Sequence, residues 1–143
     1  MKYQRRQFLK DAAIATGCLC VGASVLQACQ ALVYVPYTYA DRTITVKKTD
    51  FAENKYVVVK PEQLPAPIYL CKLEDGKFSA VLMLCTHKQC QLTPSVNTLT
   101  CPCHGSEFSQ TGEVLESPAQ EPLKKFEVTE DEQHIYIREE KEQ

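Results

Sequence analysis

Charge bias, helical periodicity and histidine are all scarce in this chain, and each scarcity removes a class of protein. Sixteen basic and 18 acidic residues among 143 give a formal net charge of −2, with no basic stripe to follow a phosphate backbone, so no nucleic-acid partner is expected. No window beyond residue 35 repeats apolar residues at helical spacing, which leaves β structure as the economical expectation. No Cys-x-x-Cys opens a helix, so a thiol-redox enzyme is a weak reading. The length suits one small domain: cleavage before Cys29 would leave 115 residues, too few for two ordinary cores. Such cleavage also takes away four of the basic residues and one acidic residue, so the mature chain would carry a net charge of −5. Most of that charge reads as a solvated face, although it also suits a basic partner.

Against that background one concentration stands out. Cys85-Thr86-His87-Lys88-Gln89-Cys90 and Cys101-Pro102-Cys103-His104-Gly105-Ser106 place four of the eight cysteines and two of the three histidines within twenty residues. Each box offers one Cys and one His at close spacing, Cys85 with His87 and Cys101 with His104. Cys103 and His104 are neighbours whose side chains point apart in an extended segment, whereas Cys101 and His104 converge if Pro102 and Gly105 bend the loop. Cys90 and Cys103 remain as a spare pair that an oxidising compartment would allow to bridge the two loops. Closing a loop of that size contributes roughly 3 kcal/mol in the chain-entropy model, less any strain.

Two thiolates and two imidazoles suit a 2Fe-2S cluster. With four thiolates the oxidised centre is doubly negative and repels an electron; two neutral imidazoles on one iron remove that charge and raise the reduction potential by roughly several tenths of a volt. The second imidazole nitrogen titrates, which couples electron uptake to proton uptake. The competing metal reading is a structural Cys2His2 zinc site, whose paired ligands usually stand further apart than Cys85 and His87 and which needs no spare cysteines.

The boxes resemble those of the Rieske iron-sulfur proteins, in particular the disulfide-containing kind of cytochrome bc-type quinol oxidases, over roughly residues 68 to 128. The resemblance implies an all-β fold of stacked antiparallel sheets with a two-loop cluster-binding subdomain. It implies cluster ligation by Cys85, His87, Cys101 and His104, a disulfide between Cys90 and Cys103, and a hydrogen bond from Ser106 to a cluster sulfur. Respiratory members usually carry Tyr where this chain has Phe108, which implies a lower potential, better matched to menaquinol than to ubiquinol. Gln89 replaces the usual Gly, and Ser117-Pro118-Ala119 resembles a Gly-Pro-Ala loop with its Gly lost. The implied partners are quinol, a cytochrome b-type quinol-oxidising subunit and a c-type cytochrome. Two other resemblances compete: the exported small subunit of a molybdenum oxidase of arsenite-oxidase type, and an aromatic-ring dioxygenase ferredoxin, whose members lack counterparts of Cys90 and Cys103.

The amino terminus speaks to location. Arg5-Arg6-Gln7-Phe8-Leu9-Lys10 resembles the twin-arginine export motif, and the apolar run from Ala12 to Leu26 that follows is short for a membrane span. Leu26-Gln27-Ala28-Cys29 resembles a bacterial lipobox, with a lipid on Cys29. An uncleaved helix to Val35, ending in the aromatic residues Tyr34, Tyr37 and Tyr39, is the other outcome. Both tether the domain to the outer, periplasmic face of the cytoplasmic membrane. The expected organisation is an export signal at 1–28, a linker at 29–42 and a cluster domain at 43–143.

Strand signals fill that domain. Thr43 to Val46 alternates, Tyr56 to Val59 is β-branched, and Ile68–Leu73 and Phe78–Leu84 flank Asp75-Gly76, a strong hairpin turn. The second of these strands runs into the first box. A short strand near Thr98–Thr100 joins the boxes, Thr111-Gly112 turns the chain away, and Leu123–Val128 with His134–Arg138 forms a last hairpin. Cys71 reads as a buried unreactive thiol and His134 as an ordinary surface side chain.

Overall fold

In the computed structural model, which describes residues 32–52 and 54–139, eleven strands form two antiparallel sheets, with no α-helix among the described residues. The strands are β1 (Thr38–Ala40), β2 (Thr43–Lys47), β3 (Tyr56–Val59), β4 (Ile68–Lys72), β5 (Phe78–Leu82), β6 (Thr93–Pro94), β7 (Thr98–Thr100), β8 (Glu107–Ser109), β9 (Val114–Glu116), β10 (Lys125–Glu130) and β11 (His134–Arg138). A seven-stranded sheet runs β1-β2-β11-β10-β5-β4-β3, and a four-stranded sheet runs β6-β7-β8-β9.

The larger sheet folds over on itself because β10 changes partner midway. Its first residues, Lys125 and Phe126, pair with Val81 and Ala80 of β5, while Glu127 to Glu130 pair with β11. The β1-β2-β11 side is thereby stacked on the β3-β4-β5 side, and one core fills the space between them: Ile44, Val46, Ile135 and Ile137 meet Val57, Val59, Ile68, Leu70, Ala80 and Leu82.

The other faces of β3, β4 and β5 are buried too. Val58, Tyr69, Cys71, Val81 and Met83 enter a second core with Leu92, Leu99, Phe108, Ala119 and Leu123 of the smaller sheet and its loops. Double burial explains why these three strands read as continuous apolar runs instead of clean alternation. It also places the smaller sheet: Cys85 and Cys101 are members of this second core, so the loops that carry them stand on it. Tyr69 adds a polar tie, its hydroxyl donating to the carbonyls of Ser95 and Val96 at 3.1 and 2.9 Å.

Strand ends differ from expectation for local reasons. β5 stops at Leu82 because Met83 donates to the Pro67 carbonyl and Leu84 bridges to Gln91. β10 begins at Lys125 because Leu123 donates instead to Gly112, whose φ of +84° favours glycine and where a Cβ would crowd Leu123 and Val81. In the stretch read as a linker, Val33 and Val35 hydrogen-bond across to Val58, Val35 is buried in the first core, and Tyr37 accepts a bond from the Glu62 N–H. Tyr34 and Tyr39 are exposed. The export motif, the apolar run and Cys29 lie outside the described residues.

Candidate metal centre

The two boxes are one loop built twice. Cys85 N–H donates to the Cys90 carbonyl and the Gln89 N–H returns to the Cys85 carbonyl; in the second box Cys101 N–H donates to Ser106 and the Gly105 N–H returns to Cys101. The residue before the closing position is left-handed in both, Gln89 at φ +56° and Gly105 at φ +80°. Only the second box places there the residue that tolerates this conformation freely. By the same register His87 corresponds to Cys103, and Lys88 to His104.

A third segment clamps both loops. The Ala119 N–H donates to Ser106 Oγ at 2.9 Å, and Thr86 Oγ1 donates to the Glu121 carbonyl at 2.7 Å. These contacts cross thirteen and thirty-five residues. Thr86 and Glu121 carried no sequence signal for this role; the resemblance had singled out only Ser117-Pro118-Ala119, where the Ser117–Pro118 peptide is cis.

The clamped loops sort their side chains by depth. Cys85 and Cys101 are each 1% exposed and carry free thiols. Burial by itself would push the Cys101 thiol up, but the N–H groups of His104 and Cys103 and the Cys85 thiol all hydrogen-bond to it and bring it below the ordinary cysteine value. Backbone donors aimed at a buried sulfur stabilise the thiolate form that metals bind. The imidazole-bearing residues are less buried than the two cysteines, His87 half-buried and His104 exposed. Their ring centroids are 4.9 Å apart and the rings nearly perpendicular, at 78°.

Cys90 and Cys103 form a disulfide between the loops. The Sγ atoms of Cys90, Cys101 and Cys103 lie within 4.8 Å of one another, yet the bridge occupies two of the three, so this trio is not a ligand set.

The residues present fit a 2Fe-2S cluster. His87 Nδ1 is buried and has no hydrogen-bond partner, which is costly unless a metal uses the lone pair. The free thiols of Cys85 and Cys101 are both buried and lie within hydrogen-bonding reach of each other. Ser106 is fully buried and its oxygen accepts from Ala119, leaving the hydroxyl proton free to donate to a sulfide.

Other residues singled out by sequence stand apart. Cys71 is buried beneath the smaller sheet, its thiol facing the Gln110 carbonyl at 3.6 Å, and burial, partly offset by hydrogen bonds from Tyr69 and Ser79, pushes its pKa to about 11. Phe108 is fully buried in the second core. His134 begins β11 and approaches Asp131, with Nδ1 3.7 Å from Oδ1.

Comparison with known proteins agrees with this geometry. Residues 41–127 match the family model described as the Rieske [2Fe-2S] domain. The chain is 31% identical over 86 residues to the cytochrome b6-f complex iron-sulfur subunit of Chlorobaculum tepidum, covering 59% of this chain and 40% of that one. It is 36% identical over 75 residues to the cytochrome b6-f complex iron-sulfur subunit 2 of a Nostoc species, covering 50% and 42%. The chain thus spans less than half the length of these relatives. Among solved structures, the plasma membrane Rieske protein of Synechocystis superposes with a TM-score of 0.57 at 27% identity, covering 64% of this chain and 94% of that one.

Proposed function

This chain belongs to the Rieske [2Fe-2S] domain family and serves iron-sulfur electron transfer, and from that premise we propose that Cys85 and Cys101 hold one iron of the cluster while His87 and His104 hold the other. When bound, the cluster supplies a reversible one-electron couple whose potential the two neutral imidazoles raise. The chain's own groups do the rest. Both thiols are buried, and the N–H groups of Cys103 and His104 donate to the sulfur of Cys101. The exposed His104 brings an imidazole edge to the surface, where a partner's donor can reach a titratable nitrogen. The Cys90–Cys103 disulfide and the bonds to Ala119 and Glu121 hold both loops against movement.

The observation that carries this reading is the asymmetry of the site, with sulfurs buried and imidazoles toward solvent. It suits oxidation of a quinol held by a cytochrome b-type subunit, with onward transfer to a c-type cytochrome. The iron-sulfur subunits of cytochrome b6-f complexes among the relatives support that placement. Export by the twin-arginine signal and a lipid on Cys29, or a retained helix, would tether the domain at the outer membrane face. The menaquinol-range potential inferred from Phe108 belongs to the same proposal.

An EPR-monitored redox titration of membrane-extracted protein at two alkaline pH values tests it. The midpoint is expected to fall as pH rises, and a pH-independent midpoint refutes the proton-coupled role of His87 and His104. Zinc without acid-labile sulfide refutes the cluster itself. Co-purifying haem b and haem c support the quinol-oxidising assembly, whereas molybdopterin would assign the chain to a molybdenum oxidase. Mass spectrometry of the mature amino terminus decides Cys29: a lipid adduct supports it and an intact Met1 overturns it.

A further inference from the structure

Three sulfur atoms crowd the space between the loops, with Cys90, Cys101 and Cys103 Sγ all within 4.8 Å of one another. Two are joined as the disulfide, and the third belongs to a free, buried cysteine. A thiol held beside a disulfide is the arrangement from which exchange proceeds, a thiolate attacking one sulfur of the bridge and displacing the other. Iron ligation would engage the Cys101 sulfur and withhold it from that reaction.

We propose that the cluster protects the disulfide pairing, and that a chain which loses its cluster moves the bridge from Cys90–Cys103 to Cys90–Cys101. This rests on Cys101 being a ligand. The step balances within the chain: the Cys101 thiolate bonds to Cys90 Sγ as the Cys90–Cys103 bond breaks, and the bonding electron pair leaves with Cys103 Sγ. That sulfur then takes up the proton Cys101 released to solvent. One disulfide is present before and after, so no oxidant is needed.

Attack on Cys103 instead would close a ring across Pro102 alone, whose fixed φ opposes so tight a bridge. Cys90 is the better target. The new bridge closes a loop of nearly the same length as the old one, so chain entropy does not oppose the transfer. What changes is access: a buried ligand sulfur is consumed, and the thiol set free belongs to an exposed residue. Cluster loss then becomes a latched event, in which the chain lacks a ligand until an outside thiol reopens the bridge. Assembly in the order cluster first, disulfide second avoids the trap, as export of an already folded protein would permit.

The test starts from the full chain with its cluster, verified by EPR and by iron and sulfide content. A chelator removes the cluster without oxygen, samples are held at pH 8 and quenched in acid, and free thiols are capped with N-ethylmaleimide before digestion and mass spectrometry. Intact protein should show only the Cys90–Cys103 bridge, with Cys85 and Cys101 capped after denaturation. Once the cluster is gone, Cys90–Cys101 should accumulate with Cys103 capped, at constant total thiol. Reloading with iron and sulfide should decline in step and return after dithiothreitol. The Cys85→Ser chain should still exchange, whereas Cys101→Ser should keep Cys90–Cys103. A bridge that stays at Cys90–Cys103 with Cys101 readily capped overturns the proposal, as does a falling thiol titre, which would mean oxidation. A starting protein with zinc and no EPR signal would sink the ligand assignment instead, so the two failures are distinguishable.

Discussion

Ser106→Ala probes how the second loop is held. Ser106 is fully buried and its Oγ accepts the Ala119 N–H at 2.9 Å, while Ala119 itself is only 3% exposed. Alanine removes the acceptor, and so little exposure leaves water poorly placed to replace it. A buried donor without a partner costs about 1–3 kcal/mol, whereas the missing oxygen leaves too small a void to add much. For a domain of this size each kcal/mol lowers the melting temperature by about 4–8 °C, so a drop of roughly 4 to 24 °C is expected in circular dichroism melts at matched scan rate and cluster content. A Ser106→Ala melt within about 2 °C of the parent, or within ~0.5 kcal/mol in denaturant, refutes the argument that this bond clamps the loop. Redox titration reads the other half of the side chain. If the hydroxyl proton donates to the cluster, the midpoint falls as well; a less stable variant with an unchanged midpoint keeps the clamp and removes the electronic role.

Three further perturbations follow from local geometry. Gln89→Gly should stabilise the chain: the left-handed φ of +56° costs a side chain about 1–2 kcal/mol, of which glycine's greater unfolded-state freedom returns about 0.5–1. Urea midpoints check it, and a destabilised Gln89→Gly variant contradicts the assignment. Tyr69→Phe removes the hydroxyl that donates to Ser95 and Val96. The expected cost is about 1 kcal/mol, the usual net worth of one hydrogen bond, with amide exchange rising selectively around residues 94 to 98; unchanged exchange there argues against Tyr69 as a tie between the sheets. Asp131 is held to a pKa of about 2, first by the Tyr136 hydroxyl and then by the N–H groups of Gln133 and His134. A depressed carboxylate contributes its full stability above the unfolded pKa near 4 and loses it as pH falls toward 2. Asp131→Asn should flatten the acid limb of the stability curve in that window, and an identical limb in variant and parent rules the group out.

The metal chemistry was legible because it depends on residue type and spacing over a few positions. Cys85, His87, Cys101 and His104 offer sulfur and nitrogen donors at close spacing before any fold is known, which pointed to a 2Fe-2S centre, and Cys90 and Cys103 stand out as the pair left over. The Asp75-Gly76 turn and the strands on either side of it are equally local, since Gly76 at φ +85° meets a requirement that the dipeptide itself signals. β1, β6, β8 and β9 escaped notice because two or three residues are too few to display an alternating period, and their pairing is set by neighbours.

Long-range contact decided the remainder. The apolar residues of β3, β4 and β5 declare that the strands are buried, but only the stacked sheets divide them between two cores, Val57 and Val59 to one and Val58 to the other. The equivalence of the two boxes is hidden by their different Cys-to-His spacings and emerges from backbone hydrogen bonds, which put Gln89 in the place of Gly105. Thr86 with Glu121 and Ser106 with Ala119 meet across many intervening residues. Composition therefore determines which atoms are available to bind iron, because ligand chemistry belongs to the side chain itself. Which of those atoms are buried, paired or brought to the surface is a property of the folded chain, because depth and partners exist only once distant segments pack together.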